Sequence, residues 1–225
     1  MSPARRQAVL AAAEAVGAYI IEDDYDGEII YDRPPIAALA ALDQSRVIYV
    51  GSFSKSLGAG IRTGFLVVPP QLAAPASAIK TLASYGQPWL EQAALAAYIG
   101  SGGYAAHLRR IRTLYRERRD TLIDSVHRCF GSDTVISGHE AGLHVVCTLP
   151  SSMPDAHCIV AVARAHGIGL YTPVDAGVHE LEPPSTPERR LIMGYASLTP
   201  GEISKAIATL TAALRQRGSV EASVP

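Results

Sequence analysis

"VIYVGSFSKSLGAGIRTGF", Val47 to Phe65, decides how this chain is read. An apolar, β-branched run ends in serines and glycines, with Lys55 inside the turn and Arg62 seven residues beyond it. Such a run suits a strand buried on both faces of a mostly parallel sheet. Open α/β sheets bind ligands at the carboxyl ends of their strands, and Ser52, Ser54 and Lys55 fall at that edge. The spacing does not fit a phosphate-binding P-loop, which needs Gly-Lys-Ser/Thr after a longer glycine interval. "SFSK" matches the Ser-x-x-Lys of penicillin-recognising serine enzymes, yet neither Ser-Asp-Asn nor Lys-Thr-Gly follows it.

A second strand end lies upstream in "IIEDDYDGEIIY", where Glu22, Asp23 and Asp24 close an apolar run. Alternation along a strand sets Asp23 and Tyr25 on one face. The bland reading is a polar rim satisfying backbone groups. Metal binding is the weaker alternative, because no further ligand is spaced to complete a shell. A third reading joins both segments. The Lys55 amine can form a Schiff base with an aldehyde, and Arg62 with the Ser52 and Ser54 hydroxyls can bind a phosphate. Asp23 can keep a pyridine nitrogen protonated, and Tyr25 can donate to a ring phenolate. Together these are the parts of a pyridoxal 5′-phosphate (PLP) site.

Composition bounds the alternatives. With 225 residues, the chain forms one large domain or two small ones. Hydrophobic residues make up 48% and charged residues 18%, which is globular. A formal charge of −1 gives no reason to expect nucleic acid or an acidic membrane. The cysteines (Cys129, Cys147 and Cys158) are scattered and lack metal spacing, as reduced core thiols do. No run spans a bilayer and no signal-peptide core opens the chain, so the expectation is a soluble cytoplasmic protein.

Several strands and helices are legible. Ser2 reads as an N-cap and Pro3 as the first helical residue of an Ala-rich helix ending at Gly17. The strand "AYIIEDD" follows at once, like the second half of a βαβ unit, so the chain is expected to start inside a domain. "RVIYVGS" and "TGFLVVP" read as further strands, then helices run from Pro70 to Lys80 and through "PWLEQAALAAYIG". Trp89 is expected to anchor a core or an interface. After Gly102-Gly103 comes the longest helix, with an apolar stripe through Leu108, Ile111, Tyr115, Leu122 and Val126. Its arginine-dense segment "LRRIRTLYRERRD" reads as a solvated face rather than a nucleic-acid surface. Beyond Gly131, strands are expected in "GLHVVCTLP", "GIGLYTP" and "RRLIMGYASL", with helices from Asp155 to His166 and from Pro200 to about Arg217. The seven histidines show no paired spacing for zinc, and His144 reads as structural. This divides the chain into a partial PLP-binding large domain (1–103), a small C-terminal α/β domain (104–218) and a disordered tail (219–225).

"IIEDDYDGEIIYDRPPIAAL", "VIYVGSFSKSLGAGIRTGFLVVP", "LRRIRTLYRERRD", "AGLHVV" and "GYASLTP" resemble, in order, the aminotransferase-like domain of MocR/GabR-type regulators of the GntR family. The resemblance covers about Ser2 to Leu214. It implies an α/β fold, the PLP-dependent fold type I of the aspartate aminotransferase superfamily, and commonly a homodimer. On it, Lys55 matches the Schiff-base lysine, Asp23 the pyridinium partner and Tyr25 the residue at the ring hydroxyl. Ser52 and Arg62 match the phosphate ligands. The choice of Asp23 over Asp24 follows the family's two-residue spacing to the tyrosine, a register open by one.

Two departures stand out. The family's earlier half, with its phosphate loop, ring-stacking aromatic and asparagine, and its winged helix-turn-helix precede the point where this chain begins. In the penultimate strand Ile192 occupies the position of the arginine that binds a substrate carboxylate, with Arg189 and Arg190 near the strand's start. Tyr171, Gly177 and the loop through Pro184 would border a substrate mouth. The resemblance implies a PLP-dependent aminotransferase-like protein, of truncated form, acting on an amino acid or amine. Lys55 would hold PLP as an internal aldimine and act as the base at the substrate α-carbon. The alternatives are an effector-sensing domain with little turnover, without direct nucleic-acid binding by this chain, and an inactive remnant.

Overall fold

The computed structural model describes residues 1–32, 34, 36–85, 89–178 and 188–221. The chain divides into two compact units, Met1–Arg109 and Arg110–Pro225, a few residues past the Gly102-Gly103 break. The loop expected to run through Pro184, and the Pro-rich turn at Arg33 and Pro35, lie partly or wholly outside the described residues.

In the first unit α1 (Pro3–Ala15) starts as its sequence dictates. Ser2 Oγ accepts from the Arg5 N–H at 3.4 Å, and Pro3 takes a position whose missing N–H costs nothing. Gly17 at φ +66° turns the chain into β1 (Ile20–Asp24). Next come the short α2 (Leu39–Leu42), β2 (Val47–Ser52) and α3 (Ser54–Leu57). A 3-10 turn at Ala59–Ile61 leads to β3 (Gly64–Val67), α4 (Pro70–Ser84) and α5 (Trp89–Gly100). β1 and β2 pair in parallel from Ile20 with Val47 to Asp24 with Gly51, so their carboxyl ends lie side by side. β3 returns antiparallel to β2, Ser52 opposite Gly64. At Gly51 a Cβ would stand 2.4 Å from the Phe65 ring, so glycine leaves the space in which that ring lies over β2. Trp89 is exposed, which removes the core from its expected roles.

The helix α6 (Gly103–Phe130) runs from the first unit into the second. The second unit continues with β4 (Val135–Ser137), β5 (His144–Thr148), α7 (Ala156–Ala165), β6 (Arg190–Gly194) and α8 (Pro200–Glu221). Its sheet is antiparallel in the order β4-β5-β6, with Val145 opposite Met193 and Cys147 opposite Leu191. Those four side chains are buried with Ile159 of α7 and Leu210 of α8, which places the core between the sheet and these helices. Asp155 caps α7 by accepting from the Cys158 N–H at 2.9 Å.

Three expectations change. "GIGLYTP" makes a single bridge, Tyr171 with Ile192, and no strand. The reason is local: Asp175 accepts from both the N–H and the hydroxyl of Thr172, so the ladder stops one residue after it starts. The arginine-dense face is not fully solvated. Arg119 is buried and donates to the His139 carbonyl at 2.8 Å, and Arg118 donates to the Ala196 carbonyl. Finally, α8 continues to Glu221, past the end expected near Arg217 and into the expected tail, of which 222–225 are not among the described residues. Among the described residues no helix is long and apolar enough to cross a membrane.

Candidate functional site

The three acidic residues closing β1 are sorted by the pleat. Glu22 accepts from the N–H groups of Leu39 and Ala40 at 2.8 and 3.1 Å, and so caps α2, whose own N-cap residue, Ala38, has no side chain to do it. Asp24 accepts from the Tyr49 hydroxyl at 2.7 Å. Burial and that bond to Asp24 hold the Tyr49 phenol far above its ordinary range, so Tyr49 stays a donor. Glu22 and Asp24 thus serve the packed face of the strand. Asp23 stands on the opposite, exposed face, the face shared by Tyr25.

Lys55 reaches this exposed face from the neighbouring strand. β2 ends at Ser52, whose Oγ accepts from the Ser54 N–H at 3.2 Å and starts the single turn of α3. Lys55 is exposed on that turn, with Nζ 5.7 Å from the centre of the Tyr25 ring, within cation–π reach. The Asp26 carboxylate, then burial, then Asp23 push the Tyr25 phenol above its ordinary range, so it is protonated and able to donate near neutral pH. Gly58 at φ +108° and Arg62 at φ +45° bend the chain around the 3-10 turn. Arg62 borders a cavity of about 300 Å³ with Phe53, Thr63, Phe65, Lys80 and Gln92.

Asp23, Tyr25 and Lys55 therefore gather at one sheet edge, with Ser52 and Ser54 leading into the lysine turn and Arg62 closing the loop after it. The arginines at the start of β6 are otherwise engaged. Arg189 donates to the carbonyls of Leu149, Pro150 and Met153, and Arg190 to the Glu188 carboxylate at 2.8 and 2.9 Å. Ile192 uses its backbone to bridge Tyr171.

Sequence reasoning missed the residues behind the lysine turn. Ser56 is buried, and Tyr104, His107 and Glu28 converge on it or on each other. The signal available was slight: a tyrosine and a histidine three apart, on one helix face, directly after a Gly-Gly break.

Comparison with known proteins agrees with the fold and with the resemblance. The pattern of the family Aminotransferase class I and II matches residues 1–210. The uncharacterized HTH-type transcriptional regulator YhdI of Bacillus subtilis (strain 168) is 37% identical over 95% of this chain and 44% of its own length. The probable rhizopine catabolism regulatory protein MocR of Rhizobium meliloti is 34% identical over 92% of this chain and 41% of its own. The chain thus spans less than half the length of these relatives. Among solved structures, a multiple substrate aminotransferase from Thermococcus profundus superposes with a TM-score of 0.82. At 24% identity it covers 97% of this chain and 53% of its own, which establishes the fold. The family pattern, running from the first residue to the middle of α8, makes this chain a member of the class I and II aminotransferase family.

Proposed function

We propose that this chain binds PLP through Lys55 and serves transamination-type chemistry on an amino acid or amine. The observation that carries the reading is the approach of Lys55 Nζ to the Tyr25 ring on the exposed face shared with Asp23. The donor set fits the group: an amine, a carboxylate and a phenol meet at one strand end, with hydroxyls and a guanidinium in the turn beside them. Bound PLP supplies an aldehyde and an electron-accepting ring. Asp23 would hold the pyridine nitrogen protonated, with Asp24 kept from that task by Tyr49. Tyr25 would donate to the ring oxygen, and Ser52, Ser54 and Arg62 would hold the phosphate. Lys55 Nζ is the base for the proton on the substrate α-carbon. A cytoplasmic homodimer is part of the same reading.

A second reading is an effector-sensing domain of a transcriptional regulator with little turnover. It is favoured by the HTH-type relatives and by Ile192, with Arg189 and Arg190 both engaged in structural bonds. An inactive remnant is the limiting case.

The test is direct. Purified chain mixed with PLP should gain the visible absorbance of lysine-bound PLP, and Lys55→Ala should not. Borohydride reduction and peptide mapping should find the adduct on Lys55. Identical spectra for the two proteins, or an adduct on another lysine, would overturn the assignment. Turnover with an amino acid and a keto acid then separates enzyme from sensor.

A further inference from the structure

The turn that carries Lys55 is held from behind by a chain of hydrogen bonds through Ser56, Tyr104 and Glu28. The Tyr104 hydroxyl donates to the Glu28 side chain. With Tyr104 donating there, Ser56 Oγ offers its single proton to Tyr104 at 2.8 Å in preference to the Phe53 carbonyl at 3.3 Å. The Ser56 carbonyl can only accept, so His107 donates to it through Nε2 at 2.7 Å. Ser56 and Tyr104 are buried, and the Tyr104 ring meets the Phe53 ring edge-on at 5.7 Å. Ser56 is the residue after Lys55, and Glu28 lies three residues past Tyr25 in the segment leaving β1. One hydroxyl therefore joins the two segments that carry the candidate site.

We propose that Tyr104 is a positioning residue: its hydroxyl braces the Lys55 turn against the β1 segment and fixes the spacing of Lys55 from Asp23 and Tyr25. The use of that spacing rests on the PLP reading above; the brace itself does not. His107, one helical turn along α6, locks the same turn through its backbone. The brace spans residues far apart in sequence, so it orders the edge where the two parallel strands end without adding a ligand to it.

Tyr104→Phe in the full chain removes the hydroxyl and keeps the ring. Without PLP, hydrogen exchange of peptides covering residues 53–57 should accelerate about three- to tenfold, as expected when the bond that ties Ser56 to Tyr104 is lost, while peptides from β6 stay unchanged. Ser56→Ala should do the same, and the double variant should be no worse than either single one. With PLP, the lysine-bound absorbance should persist with its pH midpoint displaced and its PLP affinity lowered severalfold. Unchanged exchange, or additive effects in the double variant, would overturn the brace. Faster exchange with the midpoint and affinity of wild type would reduce it to a packing contact and overturn the positioning role. Should wild type and Lys55→Ala both lack the absorbance, the PLP reading fails and the exchange data alone judge the brace.

Discussion

The two three-stranded sheets carry similar apolar runs and treat them differently. In β5 and β6 the alternate residues Val145, Cys147, Leu191 and Met193 are sealed beneath α7 and α8, Leu191 at 0% exposure. In β1 and β3, Ile21 and Leu66 stand 70% and 57% exposed. A strand that alternates needs one covering layer, and the second unit supplies it with its own helices. A strand apolar on both faces needs two, and Ile21 and Leu66 stand on faces that stay exposed. Beside a small buried set that includes Ile29 and Val47, the first unit fixes polar contacts: Glu22 on α2, Asp24 on Tyr49 and Tyr104 between Glu28 and Ser56. The second unit draws its stability from its core, whereas the first spends its ordered contacts on the edge where Lys55 sits.

The sharpest way to break this contrast is a pair of leucines. Leu191→Ala should destabilise the second unit by about 3 kcal/mol, the usual cost of a cavity at a fully buried leucine. Leu66→Ala should cost less than about 0.5 kcal/mol, as at other exposed positions. Urea denaturation followed by a probe in each unit reads both. Equal losses would mean that β3 is covered in solution, and the contrast would fall.

A second pair sharpens it at the site, with a smaller effect. Asp23→Asn should leave stability within about 0.5 kcal/mol of wild type while lowering PLP affinity about tenfold, since one charge partner is lost. Asp24→Asn should do the reverse, weakening the bond from Tyr49 and costing about 1 kcal/mol with PLP affinity little altered. Titrating PLP by absorbance and unfolding by urea separates the two, and a swapped result would move the pyridine partner to Asp24.

The contrast also explains what could be read in advance. Capping by Ser2, the parallel strands and the placing of Asp23, Tyr25 and Lys55 at one edge follow from local rules of period and strand polarity. β4 escaped because three residues carry no period, and "GIGLYTP" was over-read because the Thr172–Asp175 turn competes for its first ladder donors. Arg119 looked solvated because its partner, the His139 carbonyl, lies twenty residues away and leaves no side-chain pattern. The Tyr104 brace has a separation of forty-eight residues from Ser56 and was invisible for the same reason.

The smallest effect is electrostatic and belongs to the second unit. Glu188 is buried; bonds from the Arg190 guanidinium, then from backbone N–H groups of Arg190 and Arg189, outweigh burial and hold its carboxyl below the usual glutamate range. A carboxylate whose folded pKa is depressed contributes stability above its unfolded pKa and loses it as pH falls through the folded value. Wild type should therefore lose stability as pH drops from about 5 towards 3, and Glu188→Gln should lose less over that window, because glutamine has no proton to take up. At pH 7 the variant should sit lower by about 1 kcal/mol or less, since Arg190 is 37% exposed and partly screened. Towards pH 3 the two curves should converge. Asp175 and Glu202, held low by bonds from Thr172 and Thr199, supply the slope that remains. Urea midpoints across this range decide it: parallel curves for the two proteins would show that the Glu188–Arg190 pair adds nothing to a unit already secured by its core.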